Sequence, residues 1–271
     1  MLHSIDVLKK YGTHMNVFLV NEAGLNVSDP VLRFITENAA FVDTPQAAEM
    51  VIVLGGDGSM LSAIRNYPYN RLTFTGLNYG HLGFLMNKAC METIEEILLG
   101  KTSLVSVNIL QATMFDDSGN EIGTEFAFND FCFERSSTQT AKISVSVNGT
   151  IRFNPLIGDG VIVSSSAGST AYNASAGGAI IPIGTNSMVL TGICPAVFHY
   201  WRTSQLSSDS TVILEPRETA KRPVRFVADG RAKHGVAKAE ISYGRRVVRL
   251  AFARSQDFRK KVMDLQFYSH H

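Results

Sequence analysis

Met50-Val51-Ile52-Val53-Leu54-Gly55-Gly56-Asp57-Gly58-Ser59 is a run of five apolar residues that ends on a glycine-rich loop. Met60, Leu61 and Ile64 follow at spacings that share one helix face. A strand that is apolar at every position, not at every second one, is buried on both sides. That is the signature of a parallel sheet with helices on its two faces. The same design repeats on either side. Met15–Val20 (MNVFLV) and Leu72–Leu77 read as further buried strands. Ser28 to Ala40 opens with Ser28-Asp29-Pro30, a helix-start signal, and carries Val31, Leu32, Phe34, Ile35 and Ala39 on one face. Met91–Leu99 reads as a helix closed by Gly100. The pattern predicts a doubly wound, Rossmann-like α/β domain over residues 1–100.

Beyond Lys101 the helical period fades. Leu104–Gln111, Glu125–Arg135, Lys142–Asn148, Val161–Ser164, Ser187–Thr191, Thr211–Glu215, Val224–Ala228 and Val247–Phe252 read as strands. Turn signals separate several of them, among them Asp116–Asn120, Gly184-Thr185-Asn186 and Asp229-Gly230, and Asn148-Gly149 is a strong hairpin signal. One helix is expected to start near Ser169 and run through Ala171, Tyr172 and Ala174. Residues 101–252 are thus expected to form a β-rich, sandwich-like second domain. The tail 253–271, helical in pattern over Phe258–Leu265, is expected to return to the first.

Composition narrows the function. The 271 residues are 45% apolar and 18% charged, a globular balance. Lys and Arg number 25 against 24 Asp and Glu, a formal net charge of +1, which lacks the basic footprint of a nucleic-acid coat. No apolar run is long enough to span a bilayer and the N-terminus lacks a signal peptide's apolar stretch, so a cytoplasmic location with no membrane partner is expected. Cys90, Cys132 and Cys194 are widely spaced and odd in number, which suggests neither a disulfide framework nor a metal site. Cys132 reads as a small buried hydrophobe, and His81 and His234 as loop residues and not ligands.

Three residue sets carry chemistry. In Gly55-Gly56-Asp57-Gly58, tandem glycines after a buried strand allow positive φ and close phosphate approach, and the following helix aims its N–H groups at the same spot. A carboxylate in such a loop repels phosphate unless a cation bridges the two or it takes a proton from an attacking hydroxyl. Equally, Asp57 suits a plain N-cap. The loop matches neither GxGxxG nor the Walker A pattern. The second set is Gly158-Asp159-Gly160, an apolar strand, then Ser164-Ser165-Ser166-Ala167-Gly168-Ser169-Thr170-Ala171-Tyr172, with five hydroxyls before the tyrosine. Hydroxyls and amides there suit phosphates and ribose, and Tyr172 can pack on a base; the plainer alternative is a flexible Ser/Gly loop. The third is Asn129-Asp130 in the aromatic stretch Phe128–Phe131. It offers a donor and acceptor to an adenine edge and an acceptor to ribose hydroxyls, or else forms an Asx turn.

Together these sets resemble the NAD kinases. GGDG alone is shared with phosphofructokinases and with diacylglycerol- and sphingosine-type lipid kinases. The GDG–strand–SxxxGSTAY block is more specific, and the Asn-acidic pair stands between the two motifs as in the family. The similarity runs from Met15 to about Gln266. It implies ATP-dependent phosphorylation of the 2′-hydroxyl of NAD's adenosine ribose, with Mg²⁺ or another divalent cation. It implies Asp57 as general base with Gly58 close to the reacting group, and Asn129 and Asp130 on adenine and ribose. Asp159 would reach the nicotinamide end, often from a neighbouring subunit of a homodimer or homotetramer. Ser169, Thr170, Ala171 and Tyr172 would line the NAD pocket, extended by Ser175. Asn78–Leu85 resembles the family's NxGxLGFL stretch, where Tyr79 stacks on a base or is merely a surface tyrosine. Two departures stand out: the serine loop lacks the proline of the common STPTGSTAY, and Asp130 replaces a glutamate. A lipid kinase and a non-catalytic dinucleotide-binding regulator are the rival readings, the first disfavoured by the hydroxyl-rich loop, the second by Asp57.

Overall fold

Every residue of β3 (Met50–Gly55) is buried, as its unbroken apolar run requires. In the computed structural model, which describes residues 15–68, 70–81, 83–196 and 201–256, the chain divides into two compact units. One is Met1–Ser106 with Val247–His271, the other Val107–Arg246. The expected tail helix Phe258–Leu265 lies outside the described residues.

In the first unit β3 pairs in parallel with β1 (Asn16–Asn21) and β4 (Thr73–Asn78). The short β2 (Ala40–Phe41) adds to β1, and β5 (Asn87–Lys88) adds to β4, again in parallel. Helix α1 (Pro30–Asn38) starts where Asp29 accepts N–H bonds from Val31 at 3.0 Å and Leu32 at 2.9 Å, with Pro30 pre-set for the first turn. That cap sets the start at Pro30, two residues after Ser28. α1 and α3 (Met91–Leu98) share one core with Val17, Ile52, Leu54 and Leu77. Helix α2 (Asp57–Asn66) buries Met60, Ala63 and Ile64. Its Met60 reaches Gly76, whose absent side chain leaves room for that methionine and Met86 on the other sheet face. Helices on both faces make the sheet doubly wound, as the sequence predicts.

The second unit is a sandwich. One layer contains β9 (Ala141–Val147), β10 (Thr150–Gly158) and β14 (Val212–Pro216), the last pairing with the first half of β17 (Lys238–Ala253). β6 (Thr102–Phe115) forms a hairpin with β7 (Glu121–Ala127). The other layer is antiparallel throughout, in the order β13 (Thr203–Ser207), β12 (Ser187–Ile193), β11 (Gly160–Ser164), β8 (Asp130–Arg135), β15 (Val224–Ala228) and β16 (Arg231–Lys233). Inward residues of both layers form one core, with Phe131, Phe133, Val161 and Phe226 facing Ile143, Val145, Val212 and Leu214. Asn148 and Gly149, at φ 52° and 74°, make the two-residue hairpin turn.

Three expectations change. The single strand Glu125–Arg135 is two strands interrupted at Phe128-Asn129, because the backbone there bonds to a side chain and not to a ladder. The helix expected from Ser169 is a 3-10 turn (Gly168–Thr170) followed by one α-turn, α4 (Tyr172–Ser175). Ala171 parts them at ψ −131°, far from helical. The strand Val247–Phe252 is only the end of the sixteen-residue β17, whose earlier residues alternate Ala239 and Ile241 inward with Lys238 and Glu240 outward. No helix among the described residues is long and apolar enough to cross a bilayer.

Asn87 ties the first unit's β4, β5 and β17 together. Its buried amide donates to Thr75 Oγ1 at 3.0 Å and to the carbonyls of Gly76 (3.1 Å) and Ala251 (3.3 Å), and its oxygen accepts the Ala253 N–H at 2.9 Å. Asn87→Leu keeps the volume but leaves the buried Ala253 N–H without its acceptor, while the Ala251 carbonyl keeps the Thr75 hydroxyl, and should cost about 3 kcal/mol in urea unfolding. A cost below about 1 kcal/mol would show that the network is dispensable.

Candidate active site

Asp57 sits at the first position of α2, directly past the end of β3. The cap position is Gly56, so Asp57 is not the N-cap. Its carboxylate turns instead to the following stretch, where Oδ2 accepts the Phe84 N–H at 2.8 Å and Oδ1 that of Leu85 at 2.9 Å. A carboxylate has about four lone-pair sites, so each oxygen keeps capacity for another donor. Gly55 and Gly56 are not in the left-handed region the sequence suggested; Gly56 has φ −120°. Clearance is the reason for Gly55, since a Cβ there would stand 2.3 Å from Ser59 Oγ. Gly58 is exposed at the helix start.

Tyr79 is half-buried against the first unit's core, and its hydroxyl donates to Asp29 Oδ1 at 3.0 Å, the carboxylate that caps α1. Burial, and then this bond and the charge of Asp29, push its phenol well above the usual range. It is not a free surface tyrosine.

In the second unit the strand break at Phe128-Asn129 is held by Asp229. Its Oδ2 accepts the Phe128 N–H at 2.8 Å; its Oδ1 accepts those of Asn129 at 2.8 Å and Asp130 at 3.2 Å. Sequence reading marked Asp229 only as part of a turn. Nothing local reveals its role, because the partner Phe128 lies 101 residues away. Asp130 is buried, 5% exposed as a residue, and no donor among the described residues meets its carboxylate. Burial, then the charges of Asp229 and Glu134, push its carboxyl up to about 7.

The serine loop spends its hydroxyls on backbone groups, its own and those of neighbouring segments. Ser165 Oγ donates to the Phe128 carbonyl at 2.5 Å and accepts the Gly168 N–H at 3.2 Å. Ser164 Oγ reaches the carbonyls of Asn129 and Ser165. Ser169 Oγ, fully buried, bonds the Ser166 and Ile181 carbonyls and accepts the Ile181 N–H. Gly168 packs on the Asn129 carbonyl so closely that a Cβ would stand 2.2 Å from its oxygen. The loop is therefore an ordered scaffold and not a flexible linker. Thr170 and Ala171 are partly exposed; Tyr172 and Ser175 are exposed. The Tyr172 hydroxyl meets Glu134 Oε2 at 3.3 Å, and burial and that carboxylate push the phenol up to about 12. Glu134 in turn accepts Arg225 Nε at 2.7 Å. Asp159 accepts Arg135 Nε at 2.6 Å. Cys132 is buried, and His81 and His234 are exposed in loops, as expected.

Comparison with known proteins decides the family. Residues 10–100 match the ATP-NAD kinase N-terminal domain and residues 128–243 the ATP-NAD kinase C-terminal domain. NAD kinase of Rickettsia canadensis is 34% identical over 224 residues, covering 82% of this chain and 87% of that protein. The chain belongs to the NAD kinase family. Its activity is the ATP-dependent phosphorylation of NAD to NADP. NAD kinase of Rickettsia typhi is 32% identical over 222 residues. Among solved structures, yeast NADH kinase complexed with NADH superposes with a TM-score of 0.80 at 18% identity, over 95% of this chain and 89% of that one. An NAD kinase from Archaeoglobus fulgidus in complex with ATP gives 0.72 at 17%, over 92% and 98%. At such identities the two structures bear on the fold alone.

For an NAD kinase, a buried acid without a donor has a measurable cost. The unfolded carboxyl of Asp130 releases its proton near pH 3.9, the folded one only near pH 7, so its effect on stability worsens as pH rises from about 4 to 7 and is complete above. Asp130→Asn should melt higher than the parent at about pH 8, and the gap should shrink toward pH 5. A gap that stays constant over that range in paired melting curves would contradict the raised carboxyl.

Proposed function

We propose that this chain phosphorylates the 2′-hydroxyl of the adenosine ribose of NAD, with ATP as donor and Asp57 as the general base. What supports Asp57 most is the way its carboxylate is held. Two backbone N–H groups fix it at the mouth of a strand–helix turn while leaving acceptor capacity on both oxygens. A fixed acceptor at a helix N-terminus suits a reaction whose catalysis rests on positioning and electrostatics. The Gly58 region and the start of α2 suit the transferring phosphoryl group, whose negative charge the helix dipole favours.

In this reading Asn129 and Asp130 take the adenine and ribose of NAD. The buried Asp130 carboxylate is an acceptor without a donor, and ribose hydroxyls would supply one. Thr170, Ala171, Tyr172 and Ser175 contact the dinucleotide, while Ser169 contributes by holding the loop that carries them. Asp159 answers the nicotinamide end in a homodimer or homotetramer that shares its sites. Tyr79, its hydroxyl held by Asp29, offers its ring for stacking on a base. Mg²⁺ or another divalent cation comes with the triphosphate and neutralises its charge. Among the described residues no group of three or more His, Cys, Asp or Glu could hold a metal ion. A cytoplasmic location completes the reading.

The test is NADP formation from purified protein with ATP, Mg²⁺ and NAD, read by an NADP-specific dehydrogenase. Asp57→Asn should fold and bind NAD but lose kcat by a factor on the order of 10²–10⁴. Near-parental kcat would remove Asp57 from the chemistry. Chelation with EDTA should silence the parent, and added Mg²⁺ should restore it; activity that survives chelation would rule out the divalent cation.

A further inference from the structure

Residues 128–130 have their backbone groups secured from two directions. Asp229 takes the three N–H groups and returns its own N–H to the Asp130 carbonyl at 3.1 Å. From the other side, the Phe128 carbonyl receives Ser165 Oγ, and the Asn129 carbonyl receives the Ser165 N–H at 2.8 Å. The side chains of Asn129 and Asp130 are treated in the opposite way: among the described residues neither has a hydrogen-bond partner. A segment with a fixed backbone and unspent polar side chains is preorganised for a ligand, since binding then carries little ordering cost. Of the two holds, the carboxylate is the stronger, because three N–H groups on one anion are charge-assisted bonds. Asp229 itself stands in a turn, at φ 45° and followed by Gly230 at φ 74°. From there its carboxylate meets the residues that lead into β8.

We infer that Asp229 is a positioning residue for the dinucleotide: it never touches NAD, yet it sets NAD affinity by holding Asn129 and Asp130 in their binding geometry. The inference rests on the reading that these two residues bind NAD. A purely structural Asp229 would matter to stability and not to one substrate in particular.

Asp229→Asn separates the two. The amide has the carboxylate's shape but accepts at one atom only, and its NH₂ meets a donor; at least one of the three bonds is lost. The variant should raise KM for NAD about tenfold or more, with kcat and KM for ATP within about threefold of the parent. Asp229→Ala should be worse in the same direction, and where it fails to fold the Asn variant carries the test. The amide proton resonances of 128–130, recorded without NAD, should move upfield in Asp229→Asn while the rest of the spectrum stays. Unchanged KM for NAD despite displaced amide resonances overturns the inference and leaves NAD phosphorylation standing. A fall in kcat with KM held also overturns it, by placing Asp229 in the chemistry. A parent that neither binds nor phosphorylates NAD overturns both the functional reading and this inference.

Discussion

Backbone N–H groups that no ladder or helix can satisfy need an acceptor, and in this chain the acceptor is repeatedly an aspartate. Asp29 takes the first amides of α1, Asp57 those of Phe84 and Leu85, and Asp229 those of the strand break before β8. An anion serves better than a neutral side chain, because its bonds to N–H are roughly twice as strong and it accepts several donors at once. Each aspartate sits where a regular element begins or is interrupted, which is where a fold presents groups to a ligand. The same interaction thus ends the secondary structure and builds the site.

This division of labour explains the serine loop. Five hydroxyls before a tyrosine suggest a cradle of ligand donors, yet Ser164, Ser165 and Ser169 are fully buried and bonded to carbonyls nearby. Buried hydroxyls without partners would each be costly, so a loop packed between β11 and α4 must use them internally. The loop lacks a stiffening proline, but its own hydrogen bonds supply order instead. In the proposed reading recognition falls to the rim, from Thr170 to Tyr172 and Ser175, where Glu134 meets the tyrosine hydroxyl and Arg225.

Much of the fold was legible because burial leaves a periodic trace. The apolar runs at Val51–Leu54 and Phe74–Leu77 announce parallel strands, and Asn148-Gly149 announces its hairpin. β10 was harder to see: Pro155 interrupts its strand pattern and is tolerated because, among the described residues, β10 is an edge strand paired with β9. Asp57, Asn129 and Asp130 were visible from residue type and family motif. Asp229 was not, since its function lies in contacts about a hundred residues away. Nor could composition tell that Asp57 faces Phe84 and Leu85 and does not cap α2. Local signals report what a residue does for its own segment; they are silent on which distant segment it completes.

Asp130 shows what such a design costs. Its carboxyl is buried beside two other acids and lacks a donor among the described residues, so its ionised form opposes folding above about pH 7. A core chosen for stability alone would put an amide or an apolar group at this position. An anionic acceptor there is useful only if something else brings the donors, and paired hydroxyls of a sugar do so without adding charge of their own. Burial pushes the Asp229 carboxyl up as well, and the three amides it accepts and the Arg231 guanidinium offset only part of that rise. The charge Asp229 carries when ionised adds to the effect of burial on the Asp130 carboxyl. The protein accepts a locally unstable acid, made so first by burial, because the neighbouring acid that adds to the effect is also the one that holds its backbone in place.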